Sequence, residues 1–374
     1  MSRSSRFVLF VILALGAALP ALSHAQANPG AVFVMTNAPV RNEIVAYARN
    51  ADGGLKESQI YPTGGRGSGG VTDPLASQGS LTLSQDHSLL FAVNAGSGDI
   101  SVFQVQGASL TLVEKVPSGG AAPVAVAQWG TLVYVLNEGA ASNVTGYSIG
   151  ANGKLKPIAG SVRFLSTGNS GAASLAFSPD GQFLVVSEKL TNSLDVFHVQ
   201  IDGTLGPRVT NASAGPGLFS LLFAPNGTVV TTETGPAGAS NAGATSAYAV
   251  LPNGTLSVIS TSVPTLGAAT CWNAVTPNGN FVYTSNAATS TISGFAIGGN
   301  GALTAVGSTV VGTNPAGSTN LDVAISADSG FLYTLNSGTG TVSIFGINAN
   351  GTLNNLGDVD GLSAAAGFNG IAAY

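Results

Sequence analysis

A short turn motif returns along this chain at a nearly constant interval, and that interval leaves few folds open. Asx-Gly-x-Leu occupies residues 52–55, 152–155, 202–205, 253–256, 300–303 and 350–353, with a looser copy at 106–110. The glycines at 53, 107, 153, 203, 254, 301 and 351 lie 46 to 54 residues apart. Glycine suits such a turn because it takes positive φ without a Cβ clash. Each turn follows an alternating run, at 44–48, 100–105, 144–149, 194–199, 246–250, 292–297 and 342–347. Ahead of it comes a more apolar run that closes on a polar residue: Asn37, Asn94, Asn137, Glu188, Glu233, Asn286 or Asn336. Ahead of that lies a short apolar run, as at 81–83, 175–177 or 323–325, and a weaker strand follows each turn.

Four strands per unit of about 50 residues, repeated seven times, predict an all-β chain folded as a seven-bladed β-propeller of four-stranded antiparallel blades. A helical solenoid would show a period of 3.6, and a sandwich would not repeat its own sequence. The first unit lacks its leading short strand. The C-terminal FNGIAAY (368–374) resembles that missing strand. We therefore expect the last residues to complete the first blade, closing the ring and leaving no open edge.

Residues 1–25 read separately. Arg3 and Arg6 precede an apolar run at 7–19, and Ser23-His24-Ala25 is a small-x-small cleavage site. This is the pattern of a secretory signal peptide, too short for a membrane span. Residues 26–374 are expected to form one propeller domain, exported to the periplasm or beyond and monomeric. No later stretch is long and apolar enough to cross a membrane.

Charge narrows the partners. Charged residues make up 8% of the chain, the net charge is −5, and no Lys or Arg follows Arg208. That is the opposite of a nucleic-acid footprint. One cysteine, Cys271, excludes an intramolecular disulfide, so packing and backbone pairing must hold the ring. The glycine-rich GGRGSGG at 64–70 has no phosphate-loop Lys-Ser/Thr and reads as a flexible connection between blades.

In such a ring the innermost strands line a channel, and one mouth collects the polar ends of the second strands. Most of these are Asn, whose amides often satisfy loop backbone. Glu188 and Glu233 break the pattern, and two carboxylates facing one channel are acid/base candidates. Lys189, Asn137, Asn286, Trp272 and Arg163 are the candidate substrate-binding residues. Trp272 suits an aromatic platform or a capped core position equally. His87 and His198 fall on a far turn and a third strand, so a Ser-His-Asp triad or a His-rich zinc site is not expected. No metal or other cofactor is called for.

The SPDG-x-FL-x-V run at 178–186, the seven units and the Asx-Gly-x-Leu turns resemble the seven-bladed propeller lactonases, which include 6-phosphogluconolactonase and the fungal carboxymuconate cyclase. The resemblance spans nearly all of 31–374. It implies a lactone-hydrolysing or lactone-forming activity at the channel mouth on a sugar or organic-acid lactone. The family's mouth carries His, Glu and Arg, with a Pro-His segment before an innermost strand. The matching segment here, Gly168-Asn169-Ser170-Gly171-Ala172-Ala173, has no His, and only Arg163 and Lys189 stand in for the anion-binding arginines. A non-catalytic propeller that binds a glycan, peptide or envelope partner is the alternative.

Overall fold

The computed structural model describes residues 30–374, Gly238 apart; the signal-peptide reading of 1–25 lies outside the described residues. Seven antiparallel sheets, each four strands deep, surround a central channel. The fourth blade shows the plan: Ala172–Phe177 innermost, then Phe183–Glu188, Ser193–Val199 and Leu205–Ala212 at the rim. In the third blade the rim strand is split into Leu155–Pro157 and Arg163–Phe164. Ile371–Ala373 pairs antiparallel with Ala31–Met35, in register Val32↔Ala373 to Val34↔Ile371, as expected from FNGIAAY. The second strands are the most buried because both of their faces pack between neighbouring blades, and Leu89–Asn94 and Phe183–Glu188 are buried along their whole length.

The repeated turn has a second use besides reversing the chain. Tyr134, Tyr283 and Tyr333 are fully buried, and each donates its hydroxyl to the turn glycine carbonyl of the next blade. These are Gly203 at 2.8 Å, Gly351 at 2.8 Å and Gly53 at 3.0 Å. Gly53, with φ +87, lies so close to Phe331 of the preceding blade that a Cβ would fall 2.2 Å from its ring. At these three junctions the turn therefore latches adjacent blades.

The GGRGSGG connection is pinned, not flexible as expected. Gly65, Gly67 and Gly69 are buried in alternation. A Cβ on Gly65 would meet the Asn94 amide at 2.3 Å, and one on Gly67 the Asn37 carbonyl oxygen at 2.1 Å. Gly67 and Gly69 N–H groups bond the Ala38 and Asn37 carbonyls. The glycines are there for close approach along the mouth edge.

Candidate functional site

The segment after the glycine strip shapes the site. Residues 71–80 (VTDPLASQGS) leave the first blade, cross the mouth and enter the channel before the second blade starts. Five innermost strands leave the plain ladder near this mouth. Bulges fall at Val124, Ala173, Cys271 and Asp322, and a wider irregularity at Phe219 and Ser220. A bulge leaves backbone groups unpaired and re-aims side chains, and the crossing segment uses both consequences. Ser77 Oγ donates to the Val124 carbonyl at 2.9 Å, and the Gln78 N–H donates to the Ala173 carbonyl at 2.9 Å. Gln78 also exchanges two hydrogen bonds with the Asn273 backbone. The Trp272 indole donates to the Ser77 carbonyl at 2.9 Å, and Leu75 is buried. The segment is a plug tied to the third, fourth and sixth blades.

Above the plug, ionisable groups converge. Lys189 Nζ donates to the Ala76 carbonyl, lies 3.8 Å from Glu138 Oε1 and sits 5.3 Å above the Phe219 ring. Burial pulls the Lys189 ammonium below its ordinary range, opposed by the charges of Glu138 and Asp73. Burial pushes the carboxyls of Asp73 and Glu138 up; at Asp73 the Asn369 hydrogen bond, Lys189 and the Ala76 N–H oppose it, and at Glu138 Lys189 opposes it while Asp73 adds to it. Asp73 Oδ1 accepts the Ala76 N–H and the Asn369 amide, each at 3.0 Å, and among the described residues no hydrogen bond engages Oδ2. Asp73 also edges a cavity of about 320 Å³ walled by Thr72, Cys271, Trp272, Ala288 and Leu321. Burial raises the Cys271 thiol, which keeps it protonated. The arrangement offers a carboxylate oxygen with an open coordination side, a desolvated cation beside it and an adjoining chamber.

The sequence profile of the family described as "Lactonase, 7-bladed beta-propeller" matches residues 32–164, 124–230 and 220–366. The chain belongs to the seven-bladed β-propeller lactonase family. No curated protein matches it. Among solved structures it is similar to a candidate 6-phosphogluconolactonase from Bacteroides uniformis, at 19% identity over 93% of this chain and 100% of that one, TM-score 0.68. It is also similar to the periplasmic gluconolactonase of Pseudomonas aeruginosa, at 18% identity over 92% and 99%, TM-score 0.67. A functionally unknown protein from Desulfotomaculum acetoxidans shares 16% identity over 92% and 98%, TM-score 0.67. At these identities the likeness is one of fold.

Within this lactonase-family ring the seven sequence-selected residues fall into two groups. Lys189 and Trp272 reach the mouth cluster. Trp272 does so as a capped side chain, 1% exposed and edge-on to Phe219 at 5.1 Å, which leaves little of a free platform. The other five are taken up by the scaffold. Asn286 accepts from Thr270 Oγ1 and donates to Thr291 and Ser293; Asn137 donates to the Ser118 carbonyl and Asn143 Oδ1. Arg163 lies on the outer rim, and its guanidinium is spent on the carbonyls of Gly160, Val162, Leu205 and Gly206.

Glu188 and Glu233 do not face an open mouth as expected; both are 0% exposed. Glu233 accepts Ser246 Oγ at 2.5 Å and Ser262 Oγ at 2.7 Å. Glu188 accepts the Ser166 N–H and hydroxyl, Thr191 Oγ1 at 2.6 Å and Ser193 Oγ at 3.3 Å. Three other blades carry an Asn that donates to a Ser seven residues on: Asn94 to Ser101, Asn286 to Ser293 and Asn336 to Ser343. The fourth blade replaces that pair with two neighbouring carboxyls, Glu188 and Asp195; Asp195 accepts Thr210 Oγ1 at 2.5 Å and lies 3.4 Å from the Arg208 guanidinium. Burial raises Glu188 but its hydrogen bonds outweigh this and hold it below its ordinary range. Burial, with the neighbouring Glu188, pushes Asp195 up to about 7.

That pair gives a stability signature. Asp195, raised from 3.8, contributes stability that is fully present at low pH and lost as pH climbs toward about 7. Glu188, lowered from 4.5, contributes stability that is lost only as pH falls through its folded value. An amide at 195 donates to Glu188 at every pH. D195N is therefore expected to melt above wild type at pH 8, the gap narrowing as pH falls and closing only below the ordinary Asp value of 3.8. Parallel melting curves across that range would contradict a raised Asp195.

Proposed function

We propose that the protein is an exported, monomeric lactone hydrolase acting at the plugged mouth, on neutral lactones of sugar or aromatic type. The observation that carries this is Asp73: a half-buried carboxyl, raised by burial, with one oxygen fixed and the other unengaged, beside Lys189 and a chamber. In the proposed reaction Asp73 removes a proton as water attacks the lactone carbonyl carbon. The negative charge that forms on the carbonyl oxygen faces the Lys189 ammonium. The ring C–O bond then breaks, and Asp73 returns its proton to the leaving oxygen, giving the hydroxy acid. Glu138 holds Lys189 in place and charged. Glu188 and Glu233 keep the scaffold role that their buried hydrogen bonds suggest.

The local charges favour a neutral substrate. Asp73 and Glu138 outnumber Lys189, and among the described residues Lys189 is the one cation that acts on them; Arg66 stays exposed on the glycine strip at the mouth edge. A neutral aldono-δ-lactone is expected to be opened with a kcat/KM at least about tenfold above that of its 6-phosphate, since one repelled charge at the mouth is worth roughly 1.4 kcal/mol or more. Preference for the phosphate ester would overturn the substrate assignment. Absence of turnover on any lactone, alongside glycan or peptide binding lost in K189M, would favour the non-catalytic alternative.

A further inference from the structure

Below the plug the channel forms a second compartment. A cavity of about 600 Å³ runs from Gln78 toward the far face and is walled by all seven innermost strands. Its wall is mainly apolar, with Leu81, Val126, Phe177, Leu222, Val275 and Ile325 among the lining side chains. Asp322 is the one ionisable side chain on that wall. It sits on the seventh-blade bulge with φ +25 and is 3% exposed. Its Oδ1 accepts its neighbour's Val323 N–H at 2.9 Å, and Oδ2 accepts the Ile371 N–H of the closing strand at 3.2 Å.

Those two hydrogen bonds do not require a charge. Both come from neutral backbone N–H groups, one to each oxygen, and supply no counter-charge for a buried carboxylate. No Lys, Arg or His lines the compartment to compensate it. Burial accordingly pushes Asp322 up to about 7, opposed by its two backbone hydrogen bonds and reinforced by Asp73, the one other charged group that acts on it. A lone acid in a mainly apolar cavity has the form of a ligand site: apolar wall for a body, one charged group for orientation among neutral polar ones such as Gln78, Gln128 and Ser174, and a volume inside the usual range for small molecules of about 300–1,000 Å³.

We propose that the far half of the channel binds a small organic amine, its apolar body along the Leu/Val/Phe wall and its ammonium paired with Asp322. The site is separated from the mouth cluster by the plug and does not depend on the lactonase reading.

Three probes of one shape test it: 4-phenylbutylamine, 4-phenylbutanol and 4-phenylbutyrate, each titrated into the full-length protein by calorimetry. Trp129, on the outer lining of this cavity, supplies a fluorescence readout. The amine is expected to bind saturably, with the alcohol and the carboxylate at least about tenfold weaker, a difference of about 1.4 kcal/mol. D322N is expected to bring the amine down to the alcohol's affinity. L222W alters a half-buried wall residue remote in sequence from the bulge; it narrows the channel and is expected to abolish binding of all three. Should D322N fail to fold, the head-group series and L222W still decide the matter. Equal affinity for the three probes, an amine preference that survives D322N, binding untouched by L222W, or no binding of the amine would each overturn the proposal and leave Asp322 as an anchor of the closing strand.

Discussion

Deletion of residues 367–374 is expected to lower the melting temperature by roughly 10 °C or to prevent folding outright. The segment supplies the innermost strand of the first blade and buries Phe368, Ile371 and Ala372 to 7% exposure or less. Burying a Phe and an Ile contributes about 2–3 kcal/mol each. Losing the three-residue strand pairing adds about 1 kcal/mol per backbone hydrogen bond. Tyr374 goes too, with its hydroxyl bond to the Gly107 carbonyl, its stacking on His87 at 5.1 Å and its carbonyl bond to Arg49. The damage extends to the mouth, because Asn369 holds Asp73 and the Gly367 N–H bonds Val71 of the plug. A chain this large shifts by only about 1–2 °C per kcal/mol, so a 10 °C fall requires loss on this scale. An unchanged melting temperature in the truncated protein would show that the ring does not depend on its closing strand.

The second large effect is chemical. Replacing Asp73 by Asn preserves the acceptor for Ala76 and Asn369 and removes the base. The expected fall in kcat is about 10²–10⁴, the usual contribution of a positioned general base. K189M is expected to cost about 10²–10³ by removing the cation that faces the developing oxyanion. Because burial raises Asp73 above its ordinary 3.8, the wild-type rate should rise with pH along a limb centred above that value. D73N should lose the limb along with the rate. A variant that keeps both would remove Asp73 from the reaction.

The scaffold is legible in the sequence because it is periodic and local. The Asx-Gly turns, the strands they join and the closing FNGIAAY strand each depend on neighbours within one blade or one blade away. The plug is not legible in that way. Residues 71–80 occur once, and their partners Ala173, Lys189 and Asn273 lie roughly 100 to 200 residues further on. Nothing in VTDPLASQGS marks Asp73 as different from any Asp in a turn. Glu188 misleads for a physical reason that the sequence does contain. An Asn-to-Glu change in isolation suggests an exposed acid. Taken with the Ser-to-Asp change seven residues later, it describes a rewired buried hydrogen bond. Lys189, directly after Glu188, does reach the mouth, because the polar end of a second strand lies there. Arg163 does not, because the split rim strand of the third blade carries it to the outside of the ring.

The central question is which carboxyl carries the chemistry. The direct measurement is the turnover of one neutral δ-lactone by wild type, D73N, E188Q and E233Q, assayed side by side below the melting temperature of each. The expected result is a loss of about two orders of magnitude or more in D73N, with kcat within about threefold of wild type in E188Q and E233Q despite lower melting temperatures. Full activity in D73N, with loss in E188Q or E233Q, would contradict it and return the reaction to the buried pair.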